Sequence, residues 1–318
     1  MASEAFKVVV TDQVFPDVER ERAALAEIGA SLTVASGTRD DVLAAAADAD
    51  ALLNTYFAFD ADALGRLERC RIIARYGIGV DNIDLAAARE RGITVTNVPD
   101  YCVEEVAAHS VAMILALVRR LPEGHRALLR GAWGVDDLRP IQRLSETTVG
   151  IVGLGRIGRA TAAMLAGMGV RLLGHDPYAG HVDGIEQVEL EQLLREADAV
   201  SLHSPLTPET RGMMAAEQFA LMPDHAVLVN ASRGPLVVLD DLLAALRAGT
   251  IRGAGLDVFE IEPPDPAMLE DVPGLLATPH VAFYSEAALA ESQTKAVRQI
   301  TRVLTGGSPE YQVNGVNG

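Results

Sequence analysis

Short apolar runs rich in Val, Ile and Leu alternate along nearly the whole chain with longer stretches whose apolar positions recur at helical spacing. In the first hundred residues the runs at 7–11, 31–35, 51–55, 71–76 and 94–98 read as strands, and the stretches at 18–27, 41–47, 60–67 and 85–91 read as helices. Five such units predict a small parallel sheet covered by helices on both faces. Asn97-Val98-Pro99-Asp100 breaks the rhythm. A helix over 103–120 follows, apolar on most faces, with Glu104 and Glu105 in its first turn and Arg119 and Arg120 in its last. So apolar a helix should be buried between elements or between subunits. Residues 121–146 are polar, hold Pro, Gly and the single tryptophan, Trp133, and read as an irregular connection.

Alternation resumes at a strand over 148–152, a helix over 156–168 that stops at Gly169, and a second strand over 170–174 leading to Asp176. Later strands are expected at 199–203, 226–229, 253–258 and 275–278, and helices at 190–196, 216–222 and 240–248, with a final helix over 285–304. This order fits a doubly wound α/β sheet with its ligand at the carboxyl ends of the strands.

The turn after the strand at 148–152 is Gly153-Leu154-Gly155-Arg156-Ile157-Gly158, a G-x-G-x-x-G segment between a strand and a helix, with Asp176 eighteen residues past the last glycine. In that context Gly153 serves a tight turn, Gly155 lets the backbone approach a pyrophosphate, and Gly158 lets helix pack on strand. The helix N-terminus offers unbonded N–H groups and the positive end of its dipole to the phosphates. Asp176 is suited to accept from a ribose 2′-hydroxyl and to repel a 2′-phosphate, which favours NAD over NADP. The alternative for Asp176 is a solvated acid at a strand end.

Composition narrows the partners. At 318 residues the chain has room for two domains. Its formal net charge of −17 argues against nucleic acid or an anionic membrane surface, so anionic substrates must be captured by local groups. Two cysteines, Cys70 and Cys102, without metal-ligand spacing suggest a reducing cytoplasm. No apolar run reaches membrane-spanning length, and no leader is expected before the first strand. His109, His125, His175, His181 and His225 show no metal-like grouping and receive no role; no metal is expected.

Three residues at predicted strand ends suit catalysis: Arg233 in NASRG, Glu262 in DVFEIEPP and His280 in TPHVAFYSE. An arginine fork can grip a carboxylate, a histidine can donate a proton to a carbonyl oxygen, and a carboxylate against that histidine favours the imidazolium. Taken singly, each also suits a surface charge, a loop acid or a structural histidine.

Together these segments resemble the D-isomer-specific 2-hydroxyacid dehydrogenases over essentially the whole chain. The resemblance rests on RYGIGVDNID at 75–84, NVPDYCVEEVA at 97–107, GLGRIG at 153–158, HSPLTPETRGM at 203–213, VNASRGPLV at 229–237, GAGLDVFEIEPP at 253–264 and TPHVAFYSEAA at 278–288. It implies a Rossmann NAD domain over 102–283 and a smaller, flavodoxin-like substrate domain over 1–101 completed by 284–318. It further implies a catalytic set of Arg233, Glu262 and His280, with Glu260 outside it.

By the same resemblance Arg156 and Ile157 lie on the pyrophosphate and Asp176 holds the ribose. His203, Pro205 and Thr207 line the adenosine side, Ala231 approaches the nicotinamide, and Asp257 bonds its carboxamide. Gly77, Ile78 and Gly79 present backbone N–H groups to the substrate carboxylate, and Tyr101 and Phe283 adjoin the substrate. The helix 103–120 makes a two-fold homodimer. The implied activity is hydride transfer between NAD(H) and a small 2-oxo or D-2-hydroxy acid. The segment Val281-Ala282-Phe283-Tyr284 is similar to the C-terminal-binding-protein branch, which makes an NAD(H)-sensing corepressor the alternative. No appended regulatory domain is expected after Gly318. An aromatic Phe283 should favour apolar 2-oxo acids over phosphorylated ones.

Overall fold

The first five apolar runs form the interior of a sheet. In the computed structural model residues 6–316 are described; 1–5 and 317–318, the outermost ends of the expected substrate domain and the start of the segment read as leaderless, lie outside them. The chain divides into two compact units, one of Met1–Tyr101 with Ser285–Gly318 and one of Cys102–Tyr284.

The first unit alternates β1 (Lys7–Val10), α1 (Glu19–Ala26), β2 (Ser31–Val34), α2 (Arg39–Ala46), β3 (Ala51–Asn54), α3 (Ala61–Gly65), β4 (Ile72–Arg75), α4 (Leu85–Glu90) and β5 (Thr94–Thr96). The strands are all parallel, in the order β2-β1-β3-β4-β5. That order has the flavodoxin-like form. β3 and β4 are buried at every position, whereas the edge strand β2 alternates exposed and half-buried residues. Helix starts are set locally: Thr38 and Asp41 form a capping box at α2, and Asp60 and Asp84 cap α3 and α4 through their side chains.

The second unit begins with α5 (Val103–Val118) and α6 (Leu121–Leu129). It continues through β6 (Thr148–Val152), α7 (Arg156–Ala166), β7 (Arg171–His175), β8 (Glu186–Gln187), α8 (Leu190–Glu196), β9 (Ala199–Leu202), α9 (Ala216–Leu221), β10 (Val227–Asn230), α10 (Leu239–Ala248), β11 (Gly253–Leu256), α11 (Pro266–Leu269) and β12 (Leu275–Ala277). Its seven parallel strands run β12-β11-β10-β9-β6-β7-β8. The winding reverses between β6 and β9, which places the crevice for a ligand outside the carboxyl ends of those two strands. α12 (Glu286–Leu304) belongs to the first unit, where Ala296, Val297, Ile300 and Leu304 join Val8, Val10, Leu53 and Ile72 in one core.

One local expectation changes. The stretch 121–146 is not irregular throughout. Arg120 takes a left-handed φ of 54°, which ends α5, and α6 starts at once. Pro122 falls in its first turn, where a missing N–H costs no hydrogen bond. The very apolar α5 finds its partners inside its own unit: Val111, Met113, Ile114, Leu117 and Val118 pack with residues of β6, α7, β9 and β10. Each such side chain contributes about 1.5–3 kcal/mol of burial. A cluster of exposed apolar residues follows it in the chain, at Leu121, Leu128, Leu129, Trp133 and Val135. No helix of the described residues is long and apolar enough to cross a membrane.

Candidate active site

The glycine turn is built around close backbone approaches. Gly153 has φ +96°, and a Cβ there would stand 2.6 Å from the carbonyl carbon of His203, so the turn after β6 lies directly on the turn after β9. A Cβ on Gly158 would meet the Gly153 carbonyl oxygen at 2.0 Å, which forces glycine where α7 crosses the turn. In front of Gly155, by contrast, a Cβ would meet nothing within 4 Å. Gly155 is the N-cap of α7 and offers no side chain to its first-turn N–H groups, those of Arg156, Ile157 and Gly158. An open space before unbonded N–H groups at the switch point of the sheet fits a pyrophosphate.

Asp176 closes one side of this cradle. Its Oδ2 accepts from Leu154 N at 2.8 Å, and its Oδ1 accepts from Tyr178 N and Ala179 N at 2.9 and 3.1 Å. Burial pushes its pKa up, but the three backbone donors outweigh that and hold it below the usual carboxylate range. A fixed anion at the end of β7 fits a ribose diol and repels a phosphate ester. On the other side His203, with Nε2 2.9 Å from Ser201 Oγ, is pushed down by burial to about 4 and is neutral at physiological pH. Pro205 and Thr207 follow it in a turn pinned by Thr210, whose Oγ1 donates to Pro205 O at 2.7 Å. Ser232 Oγ donates to Ser204 O at 2.7 Å and so ties the turn after β9 to the Ala231–Arg233 turn after β10.

The three catalytic candidates lie at the carboxyl ends of β10, β11 and β12. Asn230 holds the first turn through Nδ2 to Arg233 O at 2.8 Å, and Arg233 Nη1 donates to Ser232 O at 2.8 Å. Gly234 then passes so near the next loop that a Cβ would stand 1.9 Å from Phe259 C and 2.4 Å from Glu260 N. That approach brings Arg233 to the loop of Glu262. Glu262 Oε1 accepts from Phe259 N at 2.9 Å, and its Oε2 lies 2.7 Å from His280 Nδ1. Burial raises the Glu262 pKa, but the His280 and Phe259 bonds and the nearby charges of His280 and Arg233 bring it below its ordinary value. Glu260 points elsewhere, pairing with exposed Arg211 at 3.1 Å. Phe283 sets its ring edge-on to the His280 imidazole, with centroids 6.0 Å apart.

Asp257, read from the sequence as a carboxamide ligand, is fully buried, and both its carboxylate oxygens already accept from its own chain: Oδ1 from Thr278 Oγ1 and Val281 N, Oδ2 from Ala282 N. In the other unit Gly77, Ile78 and Gly79 follow β4, and Tyr101 is half-buried. A Cβ on Gly77 would lie 2.2 Å from Arg75 Nη1. Sequence reasoning passed over Arg75. The available signal was a single charge closing the otherwise apolar run Ile72-Ile73-Ala74, and Arg75 is buried at 8% exposure. It also passed over the reason for Gly234, since a distant backbone contact leaves no mark on the local pattern. Among the described residues no three His, Cys, Asp or Glu side chains gather as metal ligands.

A doubly wound sheet with this cradle at its switch point defines a dinucleotide-binding protein of the Rossmann type. Residues 111–282 match the family model described as D-isomer specific 2-hydroxyacid dehydrogenase, NAD binding domain. The chain is 37% identical over 315 residues to D-3-phosphoglycerate dehydrogenase of Methanocaldococcus jannaschii, covering 97% of this chain and 59% of that protein. It is 39% identical over 278 residues to glyoxylate reductase of Korarchaeum cryptofilum, covering 84% and 83%. The crystal structure of D-lactate dehydrogenase from Aquifex aeolicus complexed with NAD and lactic acid superposes with a TM-score of 0.87 at 27% identity, over 97% of this chain and 99% of the other. The chain belongs to the D-isomer specific 2-hydroxyacid dehydrogenase family. It spans somewhat more than half the length of the phosphoglycerate dehydrogenase relatives.

Proposed function

We propose that the protein is an NAD-dependent oxidoreductase that interconverts a small 2-oxo acid and its D-2-hydroxy acid. The observation that carries this reading is the 2.7 Å contact of Glu262 Oε2 with His280 Nδ1, beyond the carboxyl ends of the same sheet that carries the glycine cradle. When bound, the nicotinamide ring supplies or accepts the hydride. His280 holds the proton that the carbonyl oxygen takes up on reduction, at Nε2, because Nδ1 is engaged by Glu262. Glu262 remains ionised and stabilises the positive ring; on oxidation the same nitrogen receives the proton back. Arg233 grips the substrate carboxylate with its guanidinium fork. Gly77, Ile78 and Gly79 are assigned to the same carboxylate, and Tyr101 and Phe283 to the rest of the substrate. The Cys102–Tyr284 unit is assigned the cofactor and the other unit the substrate.

The corepressor-like alternative is not carried forward, because none of the relatives reported bears such a name and the Glu–His pair is intact. A homodimer is proposed that uses the exposed side of α5 (Glu104, Ala108, Ala112) and the apolar residues Leu121, Leu128, Leu129 and Trp133. A cytoplasmic site fits Cys70 and Cys102, both buried and neither joined in a disulfide. The deciding experiment follows NADH oxidation over a panel of 2-oxo acids, phosphorylated and apolar ones included, with NADPH as control. Turnover of at least one acid in wild type, reduced at least about 10²-fold in Arg233→Ala and His280→Ala, is expected. Absence of turnover on the whole panel overturns the reading.

A further inference from the structure

His280 is held in a conformation it would not choose. Its φ is +53°, in the left-handed region that side chains other than glycine rarely adopt. Such a residue persists only where its surroundings over-determine it. Besides Glu262 and Phe283 at its ring and Thr278 O at its N–H, one buried aspartate holds the backbone of the turn. His280 N donates to Asp257 O at 2.8 Å, Val281 N to Asp257 Oδ1 at 2.9 Å, and Ala282 N to Asp257 Oδ2 at 2.8 Å. Asp257 is therefore the post around which the His280 turn is wrapped.

The post itself has a support. Thr278 Oγ1 donates to Asp257 Oδ1 at 2.6 Å, since a carboxylate can only accept. With its proton committed, Thr278 Oγ1 is left as an acceptor for its other neighbour, His109 Nε2 at 3.1 Å. The network thus assigns the Nε2 proton to His109, which stands on α5, with its side chain 24% exposed. His109 Nε2 is also 3.8 Å from Asp257 Oδ1, whose side chain is only 1% exposed. Donor, hydroxyl and carboxylate lie in series from α5 to the ends of β12 and β11.

We propose that His109 is a positioning residue: through Thr278 it fixes the Asp257 carboxylate, and through that carboxylate the left-handed turn that carries His280. Its hydrogen bond, rather than its charge, does this, because Nε2 donates in either charge state of the ring. The network stands on its own geometry; only its consequence for turnover rests on the dehydrogenase reading.

Two readouts separate the proposal from that reading. Amide exchange at Val281 and Ala282 in ligand-free protein speeds about tenfold in His109→Leu, and His109→Gln, whose Nε2 occupies the place of the imidazole donor, returns it close to wild type. Thr278→Val behaves like His109→Leu, and Thr278→Ser like wild type. Exchange of the β6 amides serves as the folding control, and the Thr278 pair carries the test should His109→Leu fail to fold. On an active substrate kcat follows the same order, about tenfold down and then restored. Unchanged exchange in both His109→Leu and Thr278→Val, or a His109→Gln no better than His109→Leu, overturns the proposal. A wild-type protein inactive on every 2-oxo acid counts against the dehydrogenase reading alone, and the exchange result still decides the role of His109.

Discussion

Gly234→Ala is the substitution that most directly tests how the Arg233 turn meets the Glu262 loop. The added methyl would stand 1.9 Å from Phe259 C, 2.1 Å from Phe259 O and 2.4 Å from Glu260 N, where ordinary contact begins at 3.4 Å. All three neighbours are backbone atoms, so no side chain can swing aside. Relief requires the two segments to part by roughly 1 Å or more, and a misplacement of that size costs about 10²-fold in turnover. The strain of overpacking is about 1–3 kcal/mol, which for a unit of this size lowers Tm by roughly 3–10 °C. The control is Gly155→Ala, where the methyl meets nothing within 4 Å of the protein and φ is an ordinary −71°. It should leave Tm within about 2 °C, yet raise KM for NADH, because the methyl occupies the space before the α7 N–H groups. Thermal unfolding and steady-state kinetics with varied NADH measure both variants. Gly234→Ala with wild-type Tm and kcat would refute the claim that this approach aligns the catalytic residues, and Gly155→Ala with unchanged KM would refute the location of the pyrophosphate.

Asp176 predicts the cofactor: NADPH should be the poorer substrate, and Asp176→Ser should narrow the gap in kcat/KM by about tenfold or more; equal values for NADH and NADPH in wild type would contradict the assignment. Glu262 has its pKa lowered from 4.5, so what its ionised form adds to stability is complete above that value and is lost as pH falls through the lower folded value. The Tm difference between wild type and Glu262→Gln should therefore shrink as pH falls below about 4.5; a difference that instead grows on acidification through this range is incompatible with this sign. On the proposed placement of Phe283 beside the substrate, its ring would add apolar contact worth about 0.8 kcal/mol, or fourfold, per methylene buried. Phe283→Gly should thus cost a longer apolar 2-oxo acid more kcat/KM than glyoxylate, and an equal loss on both would show that the ring only packs.

Much of this protein was legible without coordinates because its central strands are buried on both faces. Runs such as Val8-Val9-Val10 and Leu52-Leu53 have no polar alternation to confuse them, and local caps such as Thr38, Asp60 and Asp84 mark helix starts. The glycine turn was legible for a related reason: strand, turn and helix are contiguous, so one local segment carries the whole cradle. The helix at Leu121–Leu129 was not, since Pro122 and Gly124 read as breakers until the first-turn position of the proline is known. Contacts between distant segments were decided only by the tertiary structure. The sequence by itself places a histidine on α5 and an aspartate after β11 without any reason to join them. The parallel sheet sets β11 beside β12, and α5 packs across β10 and β11, which carries His109 to Thr278 and Asp257. The same is true of Gly234 against Phe259, because hydrophobic periodicity reports which face of an element is buried but not which backbone it will touch.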